Sequence, residues 1–254
     1  MSAAVLALML FAGLGIGMTG IGGVLVVPGL SALQDMPLTR AVPASTLAFL
    51  FTGIAATLKL QWQRRAATGT AAPPSDRHAL LALQIAALLG AALGALTLRW
   101  LPATGMHLAL ALLALFSGLQ TLLARAVPEH SARLPARATL AAIGLAVGLG
   151  SAWSGTGGPI LLLPALMWLA MPTRGAIAMA QAVQLPIALA ATAVNWWTGQ
   201  LDWALGLTLG ALLVLGWALG DRVAARIATL QLRRLLGGLL VVLGLWYGWH
   251  VLTQ

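Results

Sequence analysis

Gly13-Leu14-Gly15-Ile16-Gly17-Met18-Thr19-Gly20-Ile21-Gly22-Gly23-Val24 is an apolar run with a glycine-rich interruption. At an offset of 135 the chain reads Gly148-Leu149-Gly150-Ser151-Ala152-Trp153-Ser154-Gly155-Thr156-Gly157-Gly158-Pro159. The same offset lays Met36-Pro37 on Met171-Pro172, Ala55-Ala56-Thr57 on Ala190-Ala191-Thr192, and Trp62 on Trp197. Further along it falls to 126, where Gly90, Gly94 and Gly118 meet Gly216, Gly220 and Gly244. A loop that is long in the first half and short in the second absorbs the difference. Leu and Ala coincide by chance in an apolar chain, but Gly and Pro do not recur so often in register. The chain therefore reads as two related halves.

Composition names the solvent. Of 254 residues, 60% are hydrophobic and 7% charged, against about 25% charged in a soluble domain. So few charges cannot cover a water-facing surface, and long apolar stretches recur from Leu6 to Val251, so hydrocarbon is the main solvent. The net charge of +9 sits in short loops between apolar runs, where it orients the chain in a membrane rather than binding nucleic acid. The absence of cysteine excludes disulfides and thiolate metal sites. Residues Ala3 to Phe11 have the apolarity of a signal peptide. No basic residue precedes them, and their glycine pattern returns later, so they read as a mature helix.

The expected fold is all-α: a polytopic helical membrane protein of two homologous halves in one transmembrane domain. The first repeat covers 1–127, a basic connecting loop 128–137, and the second repeat 138–254. Each half holds one interrupted apolar region and three ordinary spans: 3–33, 41–59, 78–98 and 106–124, then 138–170, 176–198, 204–220 and 235–251. A single crossing takes about 20 residues. Each interrupted region is longer, so it is either one broken crossing or two short helices that enter and return. Charge separates the two. With single crossings the 14 Lys and Arg divide evenly between the two faces. With returning regions, Lys59, Arg64, Arg65, Arg77, Arg125, Arg133, Arg137, Arg174, Arg222, Arg226, Arg233 and Arg234 share one face, and only Arg40 and Arg99 the other. Positive residues favour the cytoplasm, so the returning arrangement is expected, with both termini outside. Three net crossings per half then give the halves opposite orientations, an inverted repeat.

The glycine motifs resemble those of the TauE/SafE sulfite exporter family of bacterial membrane permeases. The residues that carry the likeness are Gly20-Ile21-Gly22-Gly23 with Val24 to Pro28, Met36-Pro37-Leu38-Thr39-Arg40-Ala41, and Ala44-Ser45-Thr46. Their counterparts are Gly155-Thr156-Gly157-Gly158-Pro159 to Pro164 and Met171-Pro172-Thr173-Arg174. The resemblance implies a multi-pass protein of the bacterial inner membrane that exports sulfite or small organosulfur anions. Where the first half has Ser45-Thr46, the second has Ala180-Gln181, so the halves differ chemically at that point.

Irregular backbone at membrane depth is tolerated only where protein or a cavity satisfies it. In the second break Ser154 or Thr156 can cap, and Pro159 suits a first helical turn, so a short helix is expected from about Gly158. A similar start is expected near Gly23. The free N–H groups of two such ends, meeting at the repeat interface, make an anion site without a charged side chain. Thr19, Gly20, Gly22, Gly23, Gly155, Thr156, Gly157 and Gly158 are the candidate substrate-binding residues of the breaks. Ser45, Thr46, Gln181 and Gln184 are candidates lining the path, because buried hydroxyls and amides are costly without partners. Thr52 and Asn195 are further polar residues inside the spans. Thr57, Thr192 and Gln120 read as interhelical packing, as do Gly90 with Gly94, Gly216 with Gly220, and Gly244 with Gly248. Trp62, Trp100, Trp196, Trp197, Trp203, Trp246 and Trp249 read as interfacial belts, Arg40 and Arg174 as anchors there. Trp153, within the second motif, either walls the site or packs.

The four histidines show no metal-ligand spacing. All five acidic residues (Asp35, Asp76, Glu129, Asp202, Asp221) fall in loops or at span edges, which argues against an intramembrane enzyme. Neither motif is followed by the lysine of a nucleotide-phosphate loop. No cofactor is expected. The expected partners are a small anion such as sulfite, sulfoacetate or thiosulfate, and the lipid bilayer; a homo-oligomer is compatible with the sequence. A carrier of another small solute and a non-transporting membrane subunit are the competing classes. With no ionisable group at depth, export is expected to run on voltage rather than on protons.

Overall fold

The computed structural model describes residues 2–20, 22–66, 77–123, 135–169, 171, 173–224, 237–238, 241–242, 244–246 and 248–249. Its regular structure is entirely helical, with no strand among the described residues. The helices are α1 (Ala3–Thr19), α2 (Val26–Gln34), α3 (Leu38–Ala66), α4 (Arg77–Thr97), α5 (Ala103–Leu123), α6 (Arg137–Ser154), α7 (Pro159–Trp168), α8 (Thr173–Trp197) and α9 (Trp203–Ala224). Short 3₁₀ turns at Gly23–Leu25 and Leu98–Trp100 precede α2 and follow α4. These helices fall where hydropathy places the spans. The span expected at 235–251 and most of the basic loops lie largely outside the described residues.

Both interruptions fall at the glycine motifs, and both begin the same way. A left-handed glycine closes α1 at Gly20 and α6 at Gly155, and its N–H returns to the carbonyl of Ile16 or Ser151. Such a C-cap satisfies orphan carbonyls and turns the chain out of the helix. Three helices among the described residues are long and apolar enough to cross a bilayer: Leu38–Lys59, His78–Trp100 and Trp203–Val223. The Trp residues expected at interfaces are all exposed, and Trp196 stacks edge-on against Trp203 at 6.2 Å. Trp168, at the end of α7, is 94% exposed and was not among them.

Contacts fix the helix directions. Arg40 and Lys59 of α3 pair with Asp202 and Asp221, one before α9 and one in its last turn. Both pairs span 162 residues, so α3 and α9 run parallel. Arg40 and Lys59 are 19 positions apart, or about 28 Å along a helix, close to the ~30 Å of a hydrocarbon core. The ion pairs thus lie about one hydrocarbon thickness apart along α3. Helix α1 also runs parallel to α9, with Gly13 against Leu213 and Gly216, and Gly17 against Trp217 and Asp221. Since α1 and α3 share a direction, the segment between them has to come back, and it does. Gly22 lies against Ala12 and Ile16, whereas Gly29 lies against Leu8 and Met9.

Close glycine contacts hold the bundle together, as small residues do where no hydrophobic force drives helices together. Gly216 meets Leu10 and Leu14, and Gly220 meets Leu14. Shifted by the repeat offsets, these become Gly90 against Leu145 and Leu149, and Gly94 against Leu149, all of which are observed between α4 and α6. Gly244 packs on Leu115 of α5, but a Cβ at Gly248 would meet nothing among the described residues. Of that last pair, the packing of Gly244 is seen among the described residues. Helices α3 and α8, at equivalent places in the two halves, run antiparallel: Thr46 meets Asn195, Thr52 meets Gln184 and Gly53 meets Leu185.

Candidate functional site

The two breaks touch each other. A Cβ built on Gly23 would stand 2.6 Å from the carbonyl oxygen of Thr156, so only glycine admits this approach. The ring of Phe49, 1% exposed, packs against both: the same Cβ would lie 2.8 Å from its tip, and one on Gly157 would lie 3.0 Å from its base. Phe49 is nine positions from Arg40 and ten from Lys59. The breaks accordingly meet about midway between the two ion pairs.

The second break is built for a helix start. Gly157 (φ 81°) and Gly158 (φ 100°) are left-handed, which an L side chain adopts at a cost of about 1–2 kcal/mol. Helix α7 then begins at Pro159, whose missing N–H is lost where no intrahelical partner exists. The carbonyl of Gly158 accepts from the amides of Leu161 and Leu162, both at 3.1 Å. Among the described residues nothing accepts from the amides of Gly157, Gly158 or Ile160. Buried amides without partners cost free energy, and here several share one helix start. The expected cap is not formed. Ser154 Oγ donates to the carbonyl of Gly150 at 2.7 Å and shares a 2.8 Å hydrogen bond with Thr156 Oγ1. The hydroxyls are held by the turn before, because left-handed Gly155 carries the chain away from capping geometry. Ser151 Oγ, 1% exposed, has no partner among the described residues. It stands 3.7 Å from a Cβ built on Gly158.

The first break is plainer. Gly20, Gly22 and Gly23 are buried, and a helical turn starts at Gly23 as expected. The amide of Leu25 bonds to Gly22 at 3.0 Å. The side chain of Thr19 lies outside the described residues.

The path candidates divide. Ser45 Oγ shares its proton between the carbonyls of Val42 (2.7 Å) and Gly155 (3.1 Å), tying α3 to the second break. Thr46 Oγ1 donates to Pro43 at 2.7 Å and accepts from Asn195 Nδ2 at 3.2 Å. Gln184 Nε2 donates to Thr52 Oγ1 at 2.7 Å and to the carbonyl of Phe49 at 3.4 Å. Gln181 is half-buried and joins none of these bonds. Trp153 faces away: its Nε1 donates to Thr97 Oγ1 of α4 at 2.9 Å, so it braces α6 on α4 and does not wall the breaks. Arg40 is taken up by Asp202, and the side chain of Arg174 lies outside the described residues.

A family model described as Sulfite exporter TauE/SafE matches residues 5–247. The chain belongs to that family. It is therefore a membrane protein of a transporter family. No curated protein and no solved structure matches the chain.

In this TauE/SafE chain a cavity of about 480 Å³ lies away from the breaks, lined by Ser31, Asp35, Met36, Leu101 and His107 among others. None of the candidate residues lines it. The carboxylate of Asp35 disfavours an anion there, so the breaks hold the better chemistry. Sequence reasoning passed over Phe49 and Ser151. Phe49 was signalled by the repeat itself, because it is the counterpart of Gln184 at the 135 offset.

Proposed function

We propose that the protein exports a small sulfur oxyanion, sulfite first among them, across the bacterial inner membrane, holding it at the start of α7 where the two breaks meet. One observation carries the reading: amides without acceptors among the described residues gather at a buried helix start, midway between the two ion pairs, in a member of a sulfite exporter family. The dipole of one helix end contributes about 0.3–1 kcal/mol. Hydrogen bonds to a charged group contribute about 1.5–3 kcal/mol each. The amides, rather than the dipole, therefore hold the anion against its desolvation. Thr156 and Ser151 supply hydroxyls beside them.

Supporting an inverted duplication are the antiparallel α3 and α8, the recurrence of the α1–α9 contacts between α4 and α6, and the returning segment 20–34. With the basic loops inside, the Lys59–Asp221 end is cytoplasmic and the Arg40–Asp202 end is outside, and the chain crosses the membrane several times. No charged residue lies between these ends on α3 or α9. Export accordingly runs on voltage, which supplies about 2.3 kcal/mol per charge per 100 mV.

The test is sulfite binding to purified protein and flux in proteoliposomes under an imposed potential without a proton gradient. Wild type is expected to bind and to carry sulfite; a folded Gly157→Leu variant is expected to do neither. Binding unchanged by Gly157→Leu would overturn the site, and flux that stops without a proton gradient would overturn the energetics.

A further inference from the structure

Phe49 occupies the gap between the two helix starts. The tip of its ring faces Gly23 and the base faces Gly157, so the ring bridges the first break to the second. An aromatic ring cannot satisfy the amides of Gly157 and Gly158, yet it lies against that segment. Its backbone is pinned, because its carbonyl accepts from Thr52 Oγ1 at 3.2 Å and from Gln184 Nε2 at 3.4 Å. The ring itself makes no polar bond, and its side chain turns about only two dihedrals. With the backbone pinned and the ring 1% exposed, the ring fills the space between the breaks, and only rotation about its two side-chain dihedrals can clear it. The opposite half provides no second ring, since the counterpart of Phe49 is Gln184. Beside the start of α7 lies the apolar side chain of Ile187 of α8, whose Cδ1 would lie 2.7 Å from a Cβ on Gly158.

We infer that the Phe49 ring is the barrier of the permeation path: it shuts the anion site in the conformation seen here, and its swing sets access to the site and the largest anion admitted. The inference rests on the proposed function for what passes, but not for whether the ring is a barrier. Candidate residues around it are closed off, with Ser45 at 0% and Thr156 at 3% exposure.

The chain has no cysteine, so a single Thr156→Cys reports access directly. Its rate of modification by small charged methanethiosulfonates is measured in proteoliposomes with Phe49, Phe49→Leu or Phe49→Ala. An open state populated at ~10% or less leaves room for a roughly tenfold or greater acceleration when the barrier is removed. Phe49→Ala is expected to show it, with Phe49→Leu between, and both to admit larger organosulfonates. If Phe49→Ala fails to fold, Phe49→Leu against wild type makes the comparison. Equal modification rates in the folded variants would overturn the plug. Acceleration by a cationic reagent alone would sink the anion reading and leave the plug standing.

Discussion

The two breaks share a plan and differ in chemistry. Both follow a left-handed glycine that caps the preceding helix, and both lead into a short helix. The first passes through a 3₁₀ turn at Gly23 and is apolar from Val24 onward. The second has consecutive left-handed glycines, a proline at the first helical position, and the hydroxyls of Ser151, Ser154 and Thr156 around it. Of the two helix starts, only the second carries the polar groups. In this account the second break holds the anion and the first provides the opposing wall.

The comparison breaks most readily at the glycines. Gly157→Ala adds a left-handed penalty of about 1–2 kcal/mol and a clash with Phe49, for which overpacking costs about 1–3 kcal/mol more. Gly20→Ala meets nothing within 4 Å among the described residues and bears the conformational penalty. The expected result is loss of sulfite flux and a clearly lower melting temperature for Gly157→Ala, and a milder shift with retained flux for Gly20→Ala. Equal effects on flux would show that the breaks are interchangeable.

A smaller effect sharpens the same contrast. Thr156→Ile places in the second break the residue that the first break has at Ile21, and removes the hydroxyl bonded to Ser154. Sulfite affinity is expected to fall by roughly tenfold, the equivalent of a lost hydrogen bond of about 1.4 kcal/mol, while the melting temperature changes little. Unaltered affinity, measured by calorimetry, would remove the hydroxyls from the site.

The smallest effect concerns the frame that sets the depth of both breaks. Asp202 caps α9 through the amide of Leu205 at 3.0 Å and pairs with Arg40 at 2.6 Å. The Leu205 amide, followed by the Arg40 guanidinium, holds its carboxyl below the usual carboxylate range. A depressed folded-state value stabilises the protein above the ordinary carboxylate pKa, and the contribution is lost as pH falls through the depressed value. Asp202→Ala is expected to cost about 1 kcal/mol near neutral pH, the typical value of an N-cap, with the difference from wild type vanishing in acid. Arg40→Ala should cost less, because its side chain is 60% exposed and exposed pairs contribute about 0–1 kcal/mol. Thermal melts across pH check both.

Much of this is legible in the sequence because glycine and hydropathy carry it. The break positions follow from Gly20 to Gly23 and Gly155 to Gly158, and the spans from apolar length. What stays hidden is whatever depends on partners distant in the chain. Arg40 with Asp202 and Lys59 with Asp221 cannot be paired without knowing that α3 and α9 run parallel. Phe49 reads as one more apolar residue in an apolar helix until both breaks are seen against its ring. Trp153 sits inside the motif, yet its indole turns to Thr97, because helix phase rather than sequence proximity decides which way a side chain points.

The account stands most directly on where an anion rests. Selenite, a heavier pyramidal analogue of sulfite, can be located in crystals of the protein by anomalous scattering. The prediction is a selenium peak at the start of α7, with oxygens within about 3.2 Å of the Gly157, Gly158 or Ile160 nitrogens. A peak in the cavity beside Asp35 and His107 instead, with the breaks empty, would contradict it.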